Sequence, residues 1–418
     1  ARVCKDIPEA ACNDLPRNFF AYLLSNLLTK VADELASARL VLPWLLSSLG
    51  APTAFTGFLV PIRESGVLVP QLFVAAAVRG MPLRKPVWLL GAALSGISIG
   101  VAGLVAIGLS GATAGWAVIG LLILHSLARG LCSVSAKDVL GKTVSKRRRG
   151  ALMGYSAALA GVAILLVGVY LELFQSTDVS PFVFMFLLLG AAGLWFVAVG
   201  VFSLIHEQPG ATEGGGNALT VALHSLGLLR TDPGFRYFVV TRALLLSVAL
   251  APPFYVVLAQ QSADDGLAGL GIMVIASGLA GSISSPIWGW LGDRSSRLVR
   301  VVAAAAAGVL GVIVFLLIAA DASLMSEPWT YGLLFLALGI FHNGARLGRK
   351  VYLVDMATEQ TRAAYVAVSN TVIGVAMLGG GLVGVLGDLF GTPVVVLVLG
   401  LVAIGAALAA WRLPEVSG

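Results

Sequence analysis

The sequence predicts an all-α membrane protein of twelve transmembrane helices in two pseudo-symmetric six-helix bundles. Three observations lead there. Of 418 residues, 58% are hydrophobic and only 11% charged, with fifty glycines, a balance no soluble globular domain needs. A helix crosses a bilayer with about 20 apolar residues. Twelve such segments can be read, over 19–48, 53–79, 86–109, 113–136, 149–171, 181–205, 236–260, 267–291, 298–319, 329–353, 363–387 and 393–412. Finally, part of the chain is written twice. His125, Arg129 and Asp138 stand in register with His342, Arg346 and Asp355, 217 residues later. Arg149, Ser156 and Gly161 answer Arg362, Ser369 and Gly374 at a spacing of 213. Repetition of this kind marks an internally duplicated membrane protein.

The net charge of +6 is unevenly placed. Loops after segments 2, 4, 6, 8 and 10 are basic, most densely at Lys146–Arg149, while the opposite loops hold no Lys or Arg and only acids such as Glu172, Asp178, Asp321 and Glu327. Basic loops stay in the cytoplasm. Both termini and the middle loop are therefore expected inside, and the positive balance is no sign of nucleic-acid binding. The expected organisation is a tail over 1–18, a bundle over 19–205, a linker over 206–235, a second bundle over 236–412 and a tail over 413–418. The first stretch is too long and too charged for a signal peptide. Cys4, Cys12 and Cys132 suggest no disulfide framework.

Segment 1 is the most polar of the twelve. Asn26, Lys30, Asp33 and Ser37 recur at i, i+4, i+7 and i+11, one face of a helix, with Glu34 beside it. A charge at mid-membrane costs roughly 2.5–3.5 kcal/mol on insertion scales, so these groups must face water or one another. Either the helix lines a cavity and binds solute or protons, or Lys30 pairs with Asp33 or Glu34. In segment 2, Glu64 lies about as deep as Arg39, which predicts a buried pair and leaves Arg63 to the cavity. Pro61 and Pro70 allow kinks there.

Segments 3, 6, 9 and 12 are nearly free of charge and are expected to face lipid and neighbours. Segment 4 carries His125, Arg129 and Cys132 on one face, and segment 10 carries His342, Arg346 and Arg349. Fixed arginines beside each histidine argue against a metal, and no cofactor is expected. Arg242 adds a cation in segment 7. Glycines in segments 5 and 11 let helices approach closely. Between the halves, HEQPGATEGGGN reads as a flexible linker and ALTVALHSLGLLR as a short amphipathic helix or a tether. Intramembrane charges total six basic (Lys30, Arg39, Arg63, Arg129, Arg242, Arg346) against three acidic (Asp33, Glu34, Glu64), which favours an anionic solute.

Residues 289–297, GWLGDRSSR, resemble the G-x-L-x-D-R-x-G-R loop signature of the major facilitator superfamily, placed after the eighth segment as that family places its second copy. Ser296 stands where the family has glycine. The first copy, VRGMPLRKP at 78–86, keeps the basic end and lacks the acid. The resemblance implies a secondary transporter working by alternating access, with segments 1, 4, 7 and 10 lining the path. No proline occurs between Gly154 and Tyr170, so the glycine-proline signature of many family antiporters is missing. The expected solute contacts are Asn26, Lys30, Arg63, His125, Arg129, Arg242, His342 and Arg346. Asp33, Glu34 and Glu64 are the candidates for proton coupling. A cytoplasmic gate is expected from Asp293, Arg294, Asp355 and Arg362, with Asp138 and Arg149 as the first-half counterpart. The implied partners are a small solute, protons and the bilayer of an inner membrane, with the chain a monomer. Efflux of amphipathic cations is the alternative within transport. A non-transporting sensor or assembly factor is the alternative outside it.

Overall fold

A computed structural model describes residues 12–68, 80–174, 180–210, 226–262, 268–292, 294–357 and 362–416. Segment 1 is two helices, α1 (Leu15–Leu35) and α2 (Val41–Ser48). Pro43 cannot give the N–H that a continuous helix would send to the Arg39 carbonyl, and Ser37 Oγ accepts the Arg39 N–H at 3.3 Å in the break. Segments 2 to 6 are α3 (Thr53–Leu68), α4 (Lys85–Gly108), α5 (Gly111–Thr143), α6 (Lys146–Phe174) and α7 (Pro181–Ser203). After the single turn α8 (Leu228–Thr231), segment 7 comes in three pieces, α9 (Pro233–Leu244), α10 (Leu246–Leu250) and α11 (Pro252–Ser262). Its second break falls where Pro252 and Pro253 withhold two donors. Segments 8, 9 and 10 are α12 (Ala268–Gly292), α13 (Ser296–Ala319) and α14 (Pro328–Met356). Segment 11 is α15 (Arg362–Gly380) and α16 (Val383–Phe390), parted at a run of glycines, and α17 (Thr392–Trp411) is segment 12.

Helix starts follow the local chemistry. Ser180, Asp232 and Ser295 cap α7, α9 and α13, accepting the N–H of Phe182, Phe235 and Leu298 at 3.4, 2.9 and 3.0 Å. Proline opens the first two of these helices, where its missing donor costs nothing. The Tyr365 hydroxyl and the Phe235 amide hold the Asp232 carboxyl below the usual carboxylate range. Nine helical stretches among the described residues are long and apolar enough to cross a membrane. Segments 1, 2 and 10 complete the twelve. The first and last of these carry several charges each, and only 16 residues of the second are described.

The two halves repeat the same partnerships. In the first, α4 packs on α5 and α7; in the second, α13 packs on α14 and α17. The repeated serines have repeated work. Ser156 of α6 accepts from Asn26 Nδ2 of α1 at 2.7 Å, and Ser369 of α15 accepts from Arg242 of α9. Each half also ends on a glutamate that turns back to the start of its third helix. Glu207 accepts the amides of Arg84 and Lys85, at 2.9 and 2.7 Å, and the Lys142 ammonium at 2.9 Å. Glu415 accepts from Ser295 Oγ and lies 3.5 Å from Arg297 Nε. Glu207 and Glu415 carried no signal in the sequence, because each stands alone in a polar stretch.

Between the halves, α3 packs on α15 and α16, and α6 packs on α12. These contacts gather toward the acidic loops. Asp388 of α16 accepts the N–H groups of Thr53 and Ala54 at 2.6 and 3.0 Å. Gly57 meets Gly384 backbone to backbone, and Gly168 and Gly271 bring α6 and α12 equally close. Nearest the middle, Ser65 Oγ donates to the Gly374 carbonyl at 2.8 Å. Paired glycines explain why these helices touch so tightly.

Two expectations change or fall outside view. Cys12 is disulfide-bonded, against the expectation from cysteine count. Its partner lies outside the described residues. Cys132 is free and buried. Most of the expected linker helix lies outside the described residues as well.

The glycine seam makes a testable case. A Cβ on Gly384 would sit 2.9 Å from the backbone oxygens of Ala54 and Thr53, whereas one on Gly379 would meet nothing within 4 Å. Gly384→Ala should cost about 1–3 kcal/mol of stability by overpacking, read as a lower melting temperature in detergent. Gly379→Ala should leave it in place.

Candidate functional site

The site is built on one carboxylate. Asp33 of α1 lies 2.9 Å from Arg129 Nη2 of α5, 3.3 Å from Arg63 Nη2 of α3 and 3.7 Å from His125 Nε2 of α5. His125 and Arg129 are four residues apart, so one face of α5 presents both to the same turn of α1. Behind them stands Trp195 of α7. The Arg129 guanidinium lies 4.9 Å from its ring centre, and the His125 ring meets it edge-on at 6.2 Å. Trp195 is fully buried. Segment 6 reads as apolar throughout, and a lone tryptophan in an apolar helix gives no sign that it backs a charge cluster.

A second pair, Arg39 to Glu64 at 2.8 Å, forms at the depth that the sequence predicts. Of the two readings of segment 1, the pairing of Lys30 with Asp33 or Glu34 does not form among the described residues, where Asp33 is taken by two arginines. Lys30 instead lines a cleft of about 550 Å³ between α6 and α12, together with Glu34, Gly161 and Gly278.

From the second half, α14 presents His342 and Arg346, one turn apart, to a cavity of about 420 Å³, a size suited to a small molecule. Arg346 is exposed there and makes no ion pair or hydrogen bond among the described residues. His342 is buried with 8% exposure. Neither ring nitrogen meets strict hydrogen-bond geometry, and the Val248 carbonyl, which Pro252 leaves without its helical donor, stands beside the ring.

The charges on this cavity wall are balanced, with Asp33, Glu34 and Glu64 against Arg39, Arg63 and Arg346. That corrects the basic excess counted from sequence. Arg129 stands behind Asp33 rather than on the wall. Arg242 is turned to α15, where it donates to Ser369 and, at 2.9 Å, to Asn370 Oδ1. Lys30 lies in the neighbouring cleft. Arg63 reaches the cavity but is paired to Asp33, not left to solute. His125 is committed to the same carboxylate, and Asn26 to Ser156. Two of the wall's acids are thus paired, and Glu34 makes no ion pair or side-chain hydrogen bond among the described residues.

At the basic end Asp138 and Arg149 do not pair. Asp138 lies 2.9 Å from Lys142, one turn along α5, and 3.5 Å from Arg84. Arg149 donates to the Gly141 and Val144 carbonyls at 2.7 and 2.8 Å, acceptors that the end of α5 leaves open. Arg294 is exposed and stacks 3.9 Å over Trp290, and Asp355 is exposed near the end of α14. Asp293 and the Arg362 side chain lie outside the described residues. Among the described residues no three His, Cys, Asp or Glu side chains converge as a metal site.

The sequence profile of the Major Facilitator Superfamily matches residues 19–345 and 268–417. The chain belongs to this superfamily. No curated protein sequence matches it. Its fold is similar to that of a D-xylose-proton symporter, at 15% identity over 96% of this chain and 98% of that one, with a TM-score of 0.70. It is similar to the xylose transporter XylE from E. coli in an inward open conformation, at 12% identity over 96% of each chain, TM-score 0.68. It is also similar to the nucleoside transporter NupG, at 14% identity over 94% and 98%, TM-score 0.67. At such identities the likeness shows the fold alone. As a Major Facilitator Superfamily member the chain is an integral membrane transporter and not an enzyme.

For this superfamily member the pairing pattern predicts unequal costs for neighbouring residues. Asp33→Asn leaves Arg63 and Arg129 facing each other unneutralised, which should approach the roughly 3–5 kcal/mol of a broken buried pair. Glu34→Gln breaks no contact and should leave the melting temperature of the purified protein nearly unchanged. Equal losses would show that Asp33 is not the tie.

Proposed function

We propose that the protein is a secondary active transporter that moves a small organic solute by alternating access, with an anionic group of the solute held by Arg346 and with proton coupling at Glu34. The observation that carries this is the cavity itself. It lies between the bundles, and its two ungrouped charges stand on opposite halves. Arg346 and His342 supply a cation and an imidazole at one spot, a fit for a carboxylate or similar anion. Proton transfer suits Glu34 better than Asp33. Protonating Asp33 would break two ion pairs, whereas protonating Glu34 breaks none. The charged groups around Glu34 are Arg39, Asp33, Arg63 and Arg346, with Lys30 one turn before it. Proton coupling is also what the name of the xylose-proton symporter states for that protein.

The basic loops favour a cytoplasmic setting for the basic end, in an inner membrane, with the described ends of the chain on that side. The seam of contacts toward the acidic loops then closes the outside, and the cavity faces in. The gate at the cytoplasmic end falls to Asp138, Arg84, Lys142 and Glu207 in the first half. Asp293, Asp355 and Arg362 remain its counterpart in the second. The Asp138 side chain is 41% exposed, so its pairs with Lys142 and Arg84 are the ones that can break and re-form within a cycle, while Glu207 stays buried.

Transport into proteoliposomes with an imposed pH gradient tests the reading. Arg346→Gln should weaken solute affinity more than tenfold, since a charge-assisted contact contributes roughly 1.5–3 kcal/mol. Glu34→Gln should abolish the response to the gradient without unfolding the protein. Wild-type pH dependence in Glu34→Gln, with unchanged affinity in Arg346→Gln, would overturn it.

A further inference from the structure

We infer that the solute is a zwitterion, carrying an ammonium for Glu34 as well as the anion for Arg346. The inference rests on the proposed role of Arg346 and goes beyond it, because an anion alone leaves half of the cavity's chemistry unanswered. Three acids and three arginines line the wall. Within the first half, Asp33 pairs with Arg63 at 3.3 Å and Glu64 with Arg39 at 2.8 Å. One acid and one base remain, Glu34 on α1 and Arg346 on α14, and they do not touch. His342, buried and with neither nitrogen in strict hydrogen-bond geometry, stands one turn from Arg346 on the same cavity.

The Glu34 and Arg346 side chains are both exposed to the cavity, and a solute that displaces the water on them must replace what that water supplied. A purely anionic solute would satisfy Arg346 and bring its charge toward the unanswered Glu34. A purely cationic one would do the reverse. A molecule with both groups answers each, adds no net charge to a balanced wall, and spans the two bundles, so that it ties together the halves that must move. Lys30 shares the adjoining cleft with Glu34, one turn away, but makes no ion pair with it among the described residues. The proton and the solute ammonium then take turns at one carboxylate.

Purified full-length protein in detergent, titrated with a ladder of ω-amino acids of increasing chain length, tests this. Each rung is set beside its matching unsubstituted carboxylate and amine, and binding is read by calorimetry and thermal shift. One rung should bind roughly tenfold or more tighter than its own carboxylate, the worth of one charge-assisted contact. Glu34→Gln should erase that advantage while leaving carboxylate binding intact. Glu34→Asp withdraws the acid by one methylene and should move the best rung to a longer chain, a change that loss of folding cannot imitate. Arg346→Gln should weaken amino acid and carboxylate alike. Carboxylates that bind as well as every amino acid, with no effect of Glu34→Gln, would overturn the zwitterion and leave the anion reading standing. If no carboxylate-bearing probe binds and amines alone do, the anion reading falls and the zwitterion falls with it.

Discussion

The first bundle depends on Asp33. One carboxylate answers Arg63 and Arg129 and lies against His125, so it fixes three helices around a single point inside the membrane. The cost of burying these charges is met only while all of them are present. Trp195 closes the back of the cluster with its ring over Arg129. Everything that makes the neighbouring cavity distinctive follows from this tie. Because Asp33 is paired, Glu34, the very next residue, is the acid on the wall that we propose takes the proton.

Duplication explains the rest of the frame and also where the frame departs from symmetry. Ser156 and Ser369 each hold the first helix of a half to the fifth, and Glu207 and Glu415 each return to the start of a third helix. The copies diverge in charge. Where α1 offers Asn26 to its serine, α9 offers Arg242. Where Trp88 stacks on Phe202 at 3.7 Å near the base of α4, the corresponding part of α13 buries Arg300 between the rings of Phe238 and Tyr352, at 5.0 and 4.9 Å. All three carboxylates on the cavity wall belong to the first half, and the second half contributes Arg346 and His342. Two similar bundles thus present dissimilar faces to the cavity between them.

Much of this could be read from the chain, and the limits are physical. The twelve segments follow from hydropathy, the duplication from repeated His-x3-Arg spacing, and the Arg39–Glu64 pair from matched depth along two antiparallel helices. What sequence could not supply is which way a long side chain reaches. Arg129 and Arg63 were expected to hold solute; both turn instead to Asp33, since a carboxylate within reach outcompetes an empty cavity. Arg242 was counted as interior charge and proves to be a brace. Counting charges therefore overstated how basic the cavity is, because the count had no partners in it. Glu207 stayed invisible because its value lies in the two amides and the ammonium that the fold brings to it.

Infrared difference spectroscopy across a pH titration tests most directly whether Asp33 is the tie and Glu34 the exchangeable group. The account predicts a protonated-carboxyl band in the wild-type protein that survives in Asp33→Asn and is lost in Glu34→Gln. A band that vanishes in Asp33→Asn and persists in Glu34→Gln would contradict it.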